Sequence, residues 1–193
     1  MELRCAAPYP NRPLFMDFNS KYVERLKSLD LLVDGVVPIT RANLAVHDCS
    51  VTEQCVYAFL FTVPSKKNRL TFATSAVADL RTDADGSVQN IAAGDVSRAG
   101  LTEKVSYVVH AVDGKLKEIG ASWGLSTQIR IYTVRQIGAL IPEVILPLVG
   151  SGAHHGITWH YVYAPVVGLE LEIDVRGVLR ESVISTTHSL VSE

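Results

Sequence analysis

The residues best suited to acid–base chemistry lie toward the C-terminal end of this chain. His154, His155 and His160 fall close together, and Glu170, Glu172 and Asp174 follow at intervals of two. Imidazole has the ordinary pKa nearest neutrality, and a carboxylate beside it can orient it. A His–Glu pair could therefore take a proton from water and return one to a leaving nitrogen. Side chains alternate between the faces of an extended strand, so Leu169, Leu171, Ile173 and Val175 point one way and the acids the other. The stretch from Gly156 to Ala164 alternates in the same manner. A turn near Val166 would fold the two stretches into an antiparallel hairpin, with His160 opposite Glu172 and Thr158 opposite Asp174. His160 and Glu172 are the expected catalytic pair, and a protonated His154 or His155 could bind an anionic substrate.

The same residues have other uses. Histidines with carboxylates can hold zinc, but adjacent residues of an extended chain point to opposite faces, so His154 and His155 do not converge and no metal is expected. Arg130 and Arg176 could answer the acids in a salt-bridge network. Trp159 shares parity with Ile157 and Tyr161 and belongs to the packing face. The glycines around Ser151 read as turn residues.

The elements that must position these groups follow from periodicity. The first fifteen residues, with Pro8, Pro10 and Pro13, read as an extended arm, and Phe18, Tyr22, Leu26 and Leu29 predict a helix over 17–32. Strands are predicted over 42–51, 55–63 and 70–78, and the stretch from Thr82 to Gly86 is a polar loop. Leu101, Val105, Val108, Val109, Val112, Leu116 and Ile119 form a helical stripe over 98–119, with Ser97 to cap its start and Gly120 its end. A strand follows over 127–134, then a helix over 137–148 broken by proline. The order implies an α+β fold, a mixed β-sheet with helices packed on one face.

Composition narrows the function. The chain has 193 residues, 48% hydrophobic and 20% charged, enough to bury a core, and its net charge of -2 with no long basic block argues against nucleic acid as a partner. No apolar run is long enough to span a bilayer and the start resembles no secretory signal, so a cytoplasmic setting is expected. Cys5, Cys49 and Cys55 lack CxxC spacing, and Cys49 and Cys55 read as small buried apolar residues.

In their order and spacing, several segments resemble the Rid (YjgF-like) enamine/imine deaminases. They are Gly94 and Asp95 before the long helix, its end from Leu116 to Gly120, the strand 129–134, and Pro165 leading into Leu171, Glu172 and Ile173. The resemblance covers residues 70–178. It implies a homotrimer whose sheets enclose a central barrel, with small-molecule substrates in the clefts between subunits. It implies hydrolysis of enamines or imines to ketones and ammonia, an arginine binding the substrate carboxylate and a glutamate positioning water. Glu172 takes the glutamate's place. The arginine's position falls at or beside Gly156, and no arginine occurs between Arg135 and Arg176. Thr74 and Ser75 keep a hydroxyl in the family's early strand. The substrate-binding residues expected on this basis are Thr74, Ser75, Gly156 and Thr158, with His154 and His155 in place of the arginine. Residues 1–52 would be an N-terminal elaboration and 53–193 the Rid-like domain.

The function expected is a cofactor-free hydrolase that deaminates an enamine, an imine or a related unsaturated amino acid. The alternative is a non-catalytic trimer of the same fold that binds a metabolite or a partner protein.

Overall fold

The computed structural model describes residues 1–47 and 51–184; Cys49 lies outside them, and Cys55, expected to be buried, is exposed. In chain order the elements are β1 (Glu2–Cys5), α1 (Arg12–Ser28), β2 (Ala42–Val46), β3 (Cys55–Ala58), β4 (Phe72–Ala73), β5 (Val77–Ala78), β6 (Leu80–Thr82) and β7 (Val88–Asn90). Then come α2 (Arg98–Glu118), β8 (Gln128–Tyr132), a π-helical stretch (Ile141–Ile145), α3 (Leu146–Val149), a 3-10 stretch (Gly150–His155), β9 (Ile157–His160), β10 (Val162–Tyr163) and β11 (Glu172–Gly177).

The strands form two main sheets. One has the order β10-β2-β1-β3; in the other, β4 and β5 flank β11, which pairs with β8, which pairs with β9. α2 forms where the sequence predicts it. The Ser97 side chain accepts from the Gly100 amide at 3.3 Å, and Val105, Val108, Val109, Val112 and Leu116 are buried, whereas Ile119, expected in the same stripe, falls at the C-cap and is exposed. That stripe packs on the apolar face of β8 and β11, against Ile129, Ile131, Leu171, Ile173 and Val175. Trp159 packs on the same core, as its parity implies, and its indole N–H donates to the Thr133 carbonyl at 2.8 Å. The fold is thus α+β, with helices on one face of a mixed sheet.

Three expectations change. Residues 1–15 do not form an extended arm: β1 is a central strand, parallel to β2 and antiparallel to β3. Helix α1 starts earlier than predicted, at Arg12, because Asn11 caps the Leu14 amide at 3.1 Å and Pro13 suits a first helical turn. The hairpin of β9 with β11 does not exist. β8 lies between them, parallel to β9 and antiparallel to β11. The helical stretches 141–155 provide the long crossover that a parallel β8–β9 pair requires. After β9 the chain crosses to the other sheet as β10, where it pairs with β2.

The alternation survives this change of order. Glu172 lies beside Tyr132, which lies beside His160; Asp174 lies beside Arg130, which lies beside Thr158. Around Arg130, Tyr132 and Arg176 the polar face of these strands is closed off. β1 and β2 of the same chain cover it, through the side chains of Glu2, Ala42 and Leu44.

Candidate active site

The acids of β11 and its approach meet different fates. Glu170 pairs with Arg135 at 2.6 Å near the surface. Asp174 accepts from the Tyr132 hydroxyl at 2.8 Å and from Arg176 at 3.2 Å. Arg176 and Arg130 both also donate to Glu2 Oε1, and Arg4 donates to Oε2 at 3.2 Å. This buried network is the answer to the acids foreseen from Arg130 and Arg176, with Glu2 of β1 at its centre. Burial works against ionisation of Glu2, but the surrounding Arg176, Arg130 and Arg4 hold its pKa below the usual carboxylate value.

Glu172 alone among these acids has no cationic partner. It is 6% exposed and its Oε2 has no hydrogen-bond partner. Burial, then repulsion from Asp174 and Asp79, push its pKa up to about 8, against a small opposing pull from Arg41. Its carboxyl therefore stays protonated at neutral pH, in the form of an acid able to donate. Asp79 fixes the approach to β11. Its Oδ1 accepts from the Glu170 amide at 3.0 Å and the Leu171 amide at 3.4 Å, while Lys104 of α2 holds its Oδ2 at 3.1 Å.

Glu172 lines a cavity of about 760 Å³ under α1, between the start of β2, the 75–78 segment and the loop before β11. Arg41 and Asn43, from the start of β2, line it too, as do Tyr22 and Ser75. The Arg41 guanidinium lies 4.3 Å from the centre of the Tyr22 ring and 5.1 Å from that of Phe18, and it donates to Asn19. These aromatic faces and the Asn19 bond orient a half-buried guanidinium whose Nη1 has no partner. The Asn43 amide is buried with neither oxygen nor nitrogen hydrogen-bonded, and the Tyr22 hydroxyl is likewise unpartnered. Such groups are costly to leave dry, so the cavity is furnished for a polar occupant or for water. Ser75 Oγ accepts from the Arg41 amide at 3.3 Å and binds the two walls together. Tyr9 ties the start of α1 to the loop before β11, through backbone bonds of 2.7 Å to Pro165 and 3.0 Å from Val167.

Of the residues singled out from the sequence, Glu172 and Ser75 meet in this cavity. Thr74 does not line it; its hydroxyl bonds the Val175 backbone at 3.0 and 3.4 Å, as a structural link to β11. His154 and His155 are exposed in the 3-10 stretch, and Gly156 follows with φ of 80°. Thr158 is exposed on β9. His160 stacks on Tyr132 at 5.1 Å, and burial, then Arg130 and Arg4, lower its pKa. Tyr132 thus stands where the hairpin would have put Glu172. Among the described residues, no group of three or more His, Cys, Asp or Glu is placed to hold a metal ion. No helix among them is long and apolar enough to cross a membrane.

Sequence reasoning missed Arg41, Asn43 and Tyr22. The one signal is Asn43, polar in an otherwise apolar stretch from Ala42 to Val46, with Arg41 just before it.

The profile of the family described as 2-aminomuconate deaminase CnbZ matches residues 1–182. The chain belongs to that family. The family is one of deaminases, as the resemblance implied, and its match takes in β1, α1 and β2 as well as the strands around Glu172. A relative named 2-amino-5-chloromuconate deaminase, from Comamonas testosteroni, is 37% identical over 187 residues, covering 95% of this chain and 73% of its own. A solved structure of the Rid-family protein YyfB from Yersinia pestis, titled as of unknown function, has a TM-score of 0.43 and 15% identity, covering 60% of this chain and 83% of that one.

Proposed function

We propose that this protein is a hydrolytic deaminase of carboxylate-bearing enamines of the kind named in its relatives, 2-aminomuconates, with Glu172 as the proton-transfer group and Arg41 as the carboxylate anchor. The observation that carries the reading is an uncharged carboxyl whose Oε2 has no hydrogen-bond partner, in the same cavity as a guanidinium whose Nη1 has none. A planar guanidinium can grip a carboxylate through two parallel hydrogen bonds, and aromatic faces already hold Arg41 in place.

Glu172, protonated at neutral pH, gives its proton to the carbon next to the amino-bearing carbon. The carbon–carbon double-bond electrons form that C–H bond, and the nitrogen lone pair makes the C=N bond of an iminium. Water then adds through its oxygen to the C=N carbon while the Glu172 carboxylate takes a water proton. Glu172 next protonates the carbinolamine nitrogen, and the C–N bond breaks to release ammonia. The hydroxyl electrons close the ketone, and the hydroxyl proton returns to Glu172. The net change consumes the enamine and water and yields a ketone and ammonia. Asn43 offers a donor and an acceptor for the amino group or the water.

Purified protein should release ammonia from 2-aminomuconate as the enamine's ultraviolet absorbance decays. Glu172→Gln should lower kcat by about a hundredfold or more, the usual scale for losing a general acid–base group. Ammonia release no faster than the uncatalysed decay would overturn the reading.

We also propose self-association, as the homotrimer implied by the Rid resemblance. Its support is β3, an edge strand exposing Val56 and Tyr57, followed by exposed Phe59, Phe61 and Val63. A monomeric solution mass at micromolar concentration would refute it.

A further inference from the structure

The cavity carries more positive charge than one carboxylate would neutralise. Its charged or chargeable acid–base side chains are Arg12, Arg41, Lys115 and Glu172. None of these is in an ion pair among the described residues, where the other cavity-independent pairs are satisfied locally. With Glu172 protonated, three cations face one cavity in a chain whose net charge is -2. Arg12 opens α1, whose first turn holds no acid, so the positive end of the helix adds to its charge instead of being offset. Lys115 lies in the last turn of α2 and is exposed. These two cations are exposed and so stand at the mouth, whereas Arg41 is half-buried further in. The buried Asn43 amide, with neither its oxygen nor its nitrogen hydrogen-bonded, independently marks the interior as suited to a polar ligand.

We propose that Arg12 and Lys115 form a second anion subsite at the mouth, which takes the far carboxylate of a conjugated dicarboxylate whose near carboxylate Arg41 holds. The assignment rests on the deaminase reading for the near end and adds what selects the far end. A conjugated chain is rigid, so its two carboxylates keep a fixed separation. A second anchor then sets how deeply the molecule enters and which carbon faces Glu172. A substrate with one carboxylate loses that alignment along with the charge pairing.

Muconate and sorbate separate these contributions, because they share one diene chain and differ by the replacement of a carboxylate with a methyl group. Neither carries an amino group, so binding is read without turnover. By calorimetry at low ionic strength, wild type should bind muconate roughly fivefold to tenfold more tightly than sorbate, the scale for partly solvated ion pairs. The ratio should fall toward unity in the Arg12→Met, Lys115→Met double variant and on raising salt. Lys117→Met, a substitution of the neighbouring lysine that pairs with Asp113, should keep the ratio. Equal affinities in wild type, or an unchanged ratio in the double variant, would overturn the subsite and leave deamination standing. A failed ammonia assay beside a retained ratio would overturn the deaminase reading and leave the subsite.

Discussion

Replacing Glu172 by glutamine tests the physical basis of the site apart from its chemistry. The carboxyl titrates near 4.5 when exposed and near 8 in the folded chain. For an acid whose folded pKa is raised, the folded state keeps a proton that the unfolded state gives up. The contribution of such a group is full below the unfolded pKa and is lost as pH rises toward the folded one. Each pH unit in that window removes about 1.4 kcal/mol, so Glu172 costs about 3 kcal/mol of stability by neutral pH relative to its protonated form. Glutamine has nearly the same shape and no proton to lose, so it escapes this penalty. Urea unfolding of wild type and Glu172→Gln, followed across the window from 4.5 to 8, should show the variant's relative stability growing by about 3 kcal/mol between the lower end and neutrality. The variant should at the same time lose turnover, which makes the residue one that function keeps at the expense of stability. A gap between the two proteins that stays constant with pH would refute the raised pKa and, with it, the role of Glu172 as a neutral acid.

The other expectations concern the walls of the site. Arg41→Lys should raise KM by about tenfold or more and change kcat less, because an ammonium cannot reproduce the guanidinium's fork; an unchanged KM would remove Arg41 as the anchor. His160→Ala should keep kcat/KM within about threefold while lowering the unfolding midpoint, since the ring stacks on Tyr132 and does not line the cavity. A loss beyond about a hundredfold, the usual scale for an acid–base residue, would return the histidine to the chemistry. Glu2→Ala should destabilise by about 3–5 kcal/mol in denaturant titration, as it leaves Arg4, Arg130 and Arg176 clustered without the carboxylate they share. Unfolding at the wild-type denaturant concentration would show that the network is dispensable.

The position of Glu2 explains how the early residues serve the site. β1 brings one carboxylate between Arg130 and Arg176, which satisfies two cations buried on the polar face. β2 runs beside β1 and carries Arg41 and Asn43 to the cavity. β1 and the start of β2 thus supply both the lock on the polar face and the cation that lines the cavity with Glu172.

What the sequence determined by itself is what short-range periodicity encodes. The stripe from Leu101 to Leu116 with Ser97 and Gly120 at its ends marked α2 almost to the residue, and the alternation around Glu172 separated the core face from the polar face correctly. It also put Trp159 in the core and Glu172 on the polar face. Tertiary structure decided which strands are neighbours. Pairing β9 with β11 looked right because they are close in the chain, but the crossover through 141–155 places β8 between them and Tyr132 between His160 and Glu172. No arginine stands beside Gly156, and the one that lines the cavity with Glu172 is Arg41, just before the stretch read as a strand over 42–51. Alternation says which face a side chain takes; which distant strand that face meets depends on packing between sheets, which no local pattern records.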